Sequence, residues 1–219
     1  MVPVQDVIPS RTTPWVTTAL LAVNGVVLAG ELMLSEPAVR SLILSYGLVP
    51  AYISWPNTVT SLFLHYGLVH AGANMLALWI FGDNLEDRLG HTRFLVFYLT
   101  AGVVAGLVGI RASPESLAPI IGASGAVAGV IGGYLALFPH SRVLVLVPTF
   151  QGLDLVEVPA PMLLGFWILL QGLAGGAHAS GAAGIPVALW VQIGGLGAGA
   201  LAVWAFRIPE RQRVEWWAN

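Results

Sequence analysis

Long apolar runs, broken by short polar or proline-bearing stretches, constrain this chain more than any other feature. About 20 consecutive apolar residues suffice for a helix to cross the hydrocarbon of a bilayer. Six candidate spans follow from that measure, at residues 15–34, 68–81, 94–110, 122–138, 162–176 and 187–206. The second and fifth are short, and cross only with help from flanking residues or local thinning of the bilayer. Pro14, Pro119, Pro139, Pro159, Pro161, Pro186 and Pro209 lie at or near the proposed ends, where a residue that breaks helix interiors is tolerated. Charged residues make up only 9% of the chain and hydrophobic ones 57%, whereas soluble domains carry roughly a quarter charged. The expected fold is an all-α polytopic membrane protein with six transmembrane helices. It forms a single domain over residues 1–219, with a core at about 12–206 and a short cytoplasmic tail at 207–219.

Composition excludes several classes. The chain has no cysteine, so there is no disulfide framework and no thiol chemistry. All nine basic residues are arginine and the net charge is -2, which leaves no basic surface for nucleic acid. Residues 1–14 lack a basic n-region followed by a short apolar core and cleavage site, so the first apolar stretch is expected to stay as an anchor. With six spans both termini share one face. That face holds Arg11, Arg88, Arg93, Arg142, Arg207, Arg211 and Arg213, and the other only Arg40 and Arg111. The positive-inside bias places both termini in the cytoplasm. A compact chain without a transit peptide suggests a bacterial inner membrane. The connection at 36–66 carries Ile43, Tyr46, Leu48, Tyr52, Ile53, Trp55, Leu62 and Phe63. It is too apolar for a solvated loop and is expected to lie in the interface plane.

Polar groups inside the spans are few, and intramembrane polar groups generally face a bundle interior. His70 and Asn74 fall in the first turns of the second span, Ser124 opens the fourth, and Gln192 lies about one and a half turns into the sixth. These three spans run inward from the same face, so the four groups share a depth in the outer half of the bilayer. Four residues apart, His70 and Asn74 sit on one helix face. An imidazole and an amide there suit stabilisation of a developing oxyanion; interhelical hydrogen bonding is the plainer alternative. Ser124 at a helix start has free backbone N–H groups beside it. It is either a packing residue among glycines or a nucleophile. Gly125, Gly129 and Gly133 recur along the fourth span, and Gly195 and Gly199 along the sixth, a spacing that lets helix backbones approach closely.

Taken in order, His70-Ala71-Gly72-Ala73-Asn74, the stretch Gly82-Asp83-Asn84-Leu85-Glu86-Asp87-Arg88-Leu89-Gly90, Gly122-Ala123-Ser124-Gly125 and Gly194-Gly195 with Gly199 resemble the rhomboid family of intramembrane serine proteases. The resemblance implies a six-helix core in which a serine–histidine dyad cleaves transmembrane segments of other proteins, without metal or cofactor. It implies Ser124 as nucleophile, with His70, Asn74 and the Ser124 backbone N–H as the oxyanion hole. It also implies lipid and the transmembrane helices of substrates or clients as partners.

One position departs from the family pattern. The family has a histidine just before the glycine pair, where this chain reads Val191-Gln192-Ile193-Gly194-Gly195. A carboxamide has no basicity with which to take the serine proton near neutral pH. Proteolysis is therefore expected to be absent or severely impaired. The alternative is a non-proteolytic relative that binds the transmembrane helices of clients. A transporter fits less well, because Glu31 is the only carboxylate within the spans, near an outer end where an interfacial position is the simpler reading. Of the other histidines, His65 and His178 fall on the outer side and His91 and His140 on the cytoplasmic side. Only His178, in the glycine-rich stretch 172–184, stands as a candidate substitute base.

Overall fold

The computed structural model describes residues 2–65, 67–149, 152–175 and 186–208. His178 and the tail from residue 209 lie outside the described residues. In chain order the elements are β1 (Val2–Asp6), α1 (Trp15–Met33), α2 (Glu36–Tyr46), α3 (Asn57–Thr60), α4 (Leu68–Leu89), α5 (His91–Ala112), α6 (Ser124–Leu137), β2 (Arg142–Thr149), β3 (Gly152–Pro159), α7 (Ala160–Gly175) and α8 (Val187–Phe206). The molecule is mostly helical, with α6 at its centre: every residue from Ser124 to Tyr134 is buried. Helices α4, α5 and α8 pack around it.

Among the described residues three helices, α1, α5 and α8, are long and apolar enough to cross a membrane. Helix α6 and the apolar stretch Ala160–Leu169 of α7 are shorter. Helix α4 continues eight residues beyond the expected end at 81, to Leu89. Its last turns are polar in sequence, yet Asn84, Leu85, Glu86 and Leu89 all face inward. Gly90, at φ 79°, then breaks the helix, a left-handed conformation that glycine adopts without strain. The connection at 36–66 is partly ordered into α2, α3 and a 3-10 turn at Ser61–Phe63.

Helix α1 begins after Pro14 with no side-chain cap of its own, so its first N–H groups lack partners within the helix. Glu86 of α4 supplies them. Its carboxylate accepts the Val16 N–H at 2.9 Å, the Thr17 N–H at 2.7 Å and the Thr17 hydroxyl at 2.7 Å. His91 Nδ1, at the start of α5, lies 2.5 Å from the other side of the same carboxylate. Glu86 is fully buried, so removing it strands several donors at once, and each buried unsatisfied donor costs about 1–3 kcal/mol. At the opposite end of α1, Glu31 has a partner within the protein. It is buried, accepting the His65 backbone N–H at 3.1 Å and facing His65 Nδ1 at 2.9 Å. Composition of the span alone does not reveal a partner 34 residues away.

The sheet was not among the expectations from sequence, which named helices only. Strands β1, β2 and β3 form an antiparallel sheet in that order. Val143 and Val145 of β2 are buried in the same apolar core as Leu20, Phe81, Tyr134 and Leu164. Asp6, at the end of β1 and opposite Val143, accepts hydrogen bonds from the Tyr134 hydroxyl at 2.7 Å and Asn84 Nδ2 at 2.9 Å. This carboxyl joins the sheet to α4 and α6. Burial pushes it up to about 6, with Asp83 acting in the same direction and the two hydrogen bonds opposing.

Glu86→Ala is expected to lower stability by at least about 2 kcal/mol, read as a lower thermal midpoint in detergent, with Glu86→Gln milder. For Asp6 the folded carboxyl holds its proton more tightly than the unfolded one. Its contribution is therefore present at low pH and is lost as pH rises from 3.8 to about 6. Thermal unfolding across that range should show this decline in the parent protein and its absence in Asp6→Asn.

Candidate functional site

Ser124 is the first residue of α6, and no side chain caps that helix. The opening N–H groups of α6 therefore have no intrahelical acceptor, and the positive end of the helix dipole lies at the serine. The segment leading in, 119–123, is held from the side of the long connection. Leu48 and Ile120 exchange backbone hydrogen bonds at 3.1 and 2.8 Å, and the Gly122 N–H donates to Ser61 O at 2.8 Å. Gly122 makes the bend with φ at +112°, a conformation that side chains strain against. A Cβ at Gly122 would also stand 3.0 Å from His70 Cε1. The His70 ring thus lies against the backbone two residues before Ser124.

His70 and Asn74 share a face of α4. Asn74 Nδ2 donates to the His70 backbone carbonyl at 3.0 Å and lies 3.5 Å from His70 Nε2. Asn74 is buried, and its Oδ1 has no hydrogen-bond partner among the described residues.

Gln192 reaches the same region from α8. A methyl at Gly195 would overlap the Gly125 carbonyl oxygen, and one at Gly199 the Gly129 oxygen. The two helices therefore meet backbone to backbone. Gln192 lies one turn before Gly195 and is buried along with it and Gly199, a spacing that puts all three on one face. Its neighbour Val191 stands 2.9 Å from the Cβ position of Gly125 and 2.6 Å from that of Gly109 on α5. No hydrogen bond joins Ser124 to Gln192 among the described residues, and Gln192 Oε1 is buried without a partner. Gly194 faces α5 instead, where a Cβ would meet Val108 at 2.7 Å.

This arrangement gathers a hydroxyl, an imidazole, two carboxamides and uncapped helix N–H groups. Acceptors and donors are plentiful, and Gln192, a carboxamide without basicity, is the polar residue that α8 buries on its α6-facing side. Sequence reasoning missed the contribution of α5. Gly102, Gly106 and Gly109 make room for Leu62, Leu48 and Val191, whose methyl carbons stand 2.6, 2.8 and 2.6 Å from the respective Cβ positions. Their spacing, small residues at i, i+4 and i+7, was the available signal.

Gly199→Ala is expected to force α6 and α8 apart and cost about 1–3 kcal/mol, as overpacking does. Gly197→Ala, with open space around its Cβ position, should change little. Thermal unfolding of the two variants in detergent makes the comparison.

Comparison with known proteins follows the same residues. A family model described as "Rhomboid domain" matches residues 53–209. The chain is similar to "Rhomboid protease GluP" of Bacillus subtilis (strain 168), 30% identical over 178 residues, covering 77% of this chain and 33% of that protein. It is similar to "Rhomboid protein 1, mitochondrial" of Saccharomyces cerevisiae, 38% identical over 95 residues, 42% of this chain and 28% of that protein. It is also similar to "Presenilin-associated rhomboid-like protein A, mitochondrial" of Danio rerio, 29% identical over 144 residues, 61% of this chain and 36% of that protein. The matched region spans between 28% and 36% of the length of these three relatives.

Proposed function

This chain belongs to the rhomboid family, and we propose that it is an intramembrane serine endopeptidase acting on transmembrane segments of other membrane proteins through Ser124, inactive or severely impaired because Gln192 stands where the general base is needed. The observation that carries this reading is Gln192, buried on the face of α8 that packs against the start of α6. For hydrolysis, Ser124 Oγ would bond to a peptide carbonyl carbon while its proton passes to a base. That proton would then leave with the amine as the C–N bond breaks, and water would release the acyl group. His70, Asn74 and the Ser124 backbone N–H are the groups we assign to the developing oxyanion, since they border the serine from α4 and from α6 itself. The Gln192 carboxamide cannot accept the proton. In serine proteases loss of the base costs on the order of 10⁶ in kcat, leaving roughly 10³–10⁴ over water.

A second reading, a client-binding rhomboid without proteolysis, draws on the same residues. It needs the close α6–α8 packing and the serine end of α6 but no base, so Gln192 is compatible with it as it stands. In either reading we assign six spans and cytoplasmic termini, supported by the distribution of arginines. We place the chain in a bacterial inner membrane on its similarity to the Bacillus relative.

The test is reconstitution with a fluorogenic transmembrane substrate. Negligible turnover is expected for the protein as it stands, with cleavage appearing in Gln192→His and vanishing when Ser124→Ala is added. A substrate that binds both forms equally while only Gln192→His cleaves it separates binding from chemistry. Robust turnover of the unaltered protein that persists after His178→Ala would overturn the assignment of the missing base.

A further inference from the structure

The sheet takes no part in the Ser124 site, yet β3 is apolar and exposed on both of its faces. Register fixes which residues share a face. Leu153 and Leu155 pair with Pro148 and Leu146 on one side, and Val156 and Val158 with Val145 and Val143 on the other. Val143 and Val145 are buried, but β3 runs past the bundle, leaving Leu153 68%, Leu155 60% and Val156 44% exposed. In water an edge strand of this kind is a template for aggregation. A docked protein would cover one face and leave the other wet. A fluid apolar medium wets both.

Continuity identifies that medium. Strand β3 ends at Pro159, and α7 starts at the next residue. Met162, Phe166 and Leu169 of α7 are exposed at spacings of four and three, a single outward stripe. In an integral membrane protein such a stripe faces lipid. The apolar surface therefore runs from α7 onto β3 without a break in the chain. Depth follows from the polar groups. Arg142 and Glu157 face each other at 3.4 Å at the root of the hairpin, both about half exposed, and Asp154 lies on the Val156 face. The outer edge of β3 also presents backbone N–H and C=O groups that hydrocarbon cannot satisfy. Headgroups and interfacial water can.

The geometry points to the β2–β3 hairpin as a membrane-lying element. Its partner is bilayer lipid, with Leu153 and Leu155 at the acyl boundary of the leaflet at the far end of α6 from Ser124. This inference is independent of the chemistry at Ser124. It makes the hairpin a float that holds the start of α7 at a set depth, and α7 in turn packs on α8, which carries Gln192.

The absence of native cysteine allows a direct test. Leu155→Cys and Val156→Cys, each labelled with an environment-sensitive nitrobenzoxadiazole dye, are reconstituted in phosphatidylcholine–phosphatidylglycerol vesicles, with Phe166→Cys as the lipid-facing reference. Blue-shifted emission, shielding from aqueous iodide, and stronger quenching by headgroup-proximal than by deep acyl nitroxide lipids are expected at both hairpin positions. Iodide quenching equal to that of the free dye–thiol adduct, without quenching by nitroxide lipids, overturns the proposal. So does shielding that grows with the protein-to-lipid ratio and ignores nitroxide lipids, which means self-association. A photoactivatable headgroup-proximal lipid extends the test to the unaltered chain: adducts in peptides covering 152–159 support the proposal, and adducts on α7 with none there overturn it.

Discussion

The carbonyl oxygens of Gly125 and Gly129 lie against Gly195 and Gly199 with no space for a methyl group between them. Within a bilayer, apolar burial gives helices little reason to associate, because lipid tails are as apolar as leucine. Close dispersion contact has to supply the attraction, and its strength falls off within a fraction of an ångström. The remaining geometry depends on this contact. It brings the start of α6 to the face of α8 that carries Gln192. Val191 then seats between Gly125 and Gly109, which locks α5 to the same pair. From the opposite side the Leu48–Ile120 and Ser61–Gly122 hydrogen bonds hold the segment entering Ser124.

Buried carboxyls are treated differently from buried amides. Glu86, Glu31 and Asp6 are buried carboxyls, and each is met by more than one donor or faced by an imidazole. An unpaired charge in such surroundings costs several kcal/mol, roughly the margin on which a domain stands. At Gln192 and Asn74 the amide oxygens are left without partners among the described residues. Neutral amides carry a smaller desolvation cost than charges, so the fold can hold these acceptors open where ionised groups would be intolerable.

Much of this was legible in the sequence, for reasons that separate cleanly. Helices α1, α5 and α8 were visible because hydrocarbon sets a length and permits few charges. Glycines at every fourth position announced the α6–α8 contact, and His70 with Asn74 shared a face by periodicity alone. Helix α4 was cut short because Asp83 to Arg88 read as polar, although the inward-facing members of that stretch answer to partners on α1 and β1. The pairing of β1 with β2 escaped because it is non-local: Asp6 lies opposite Val143, and strand tendency is mainly a statement about such neighbours. The partner of Glu31 escaped for the same reason, being a histidine in a different segment.

The first turn of α1 closes only when a side chain from α4 arrives. During synthesis, residues 16 and 17 leave the ribosome about seventy positions before residue 86. Until then those two amides have no acceptor within their own helix, so the closure of that turn is tied to the order in which the chain emerges.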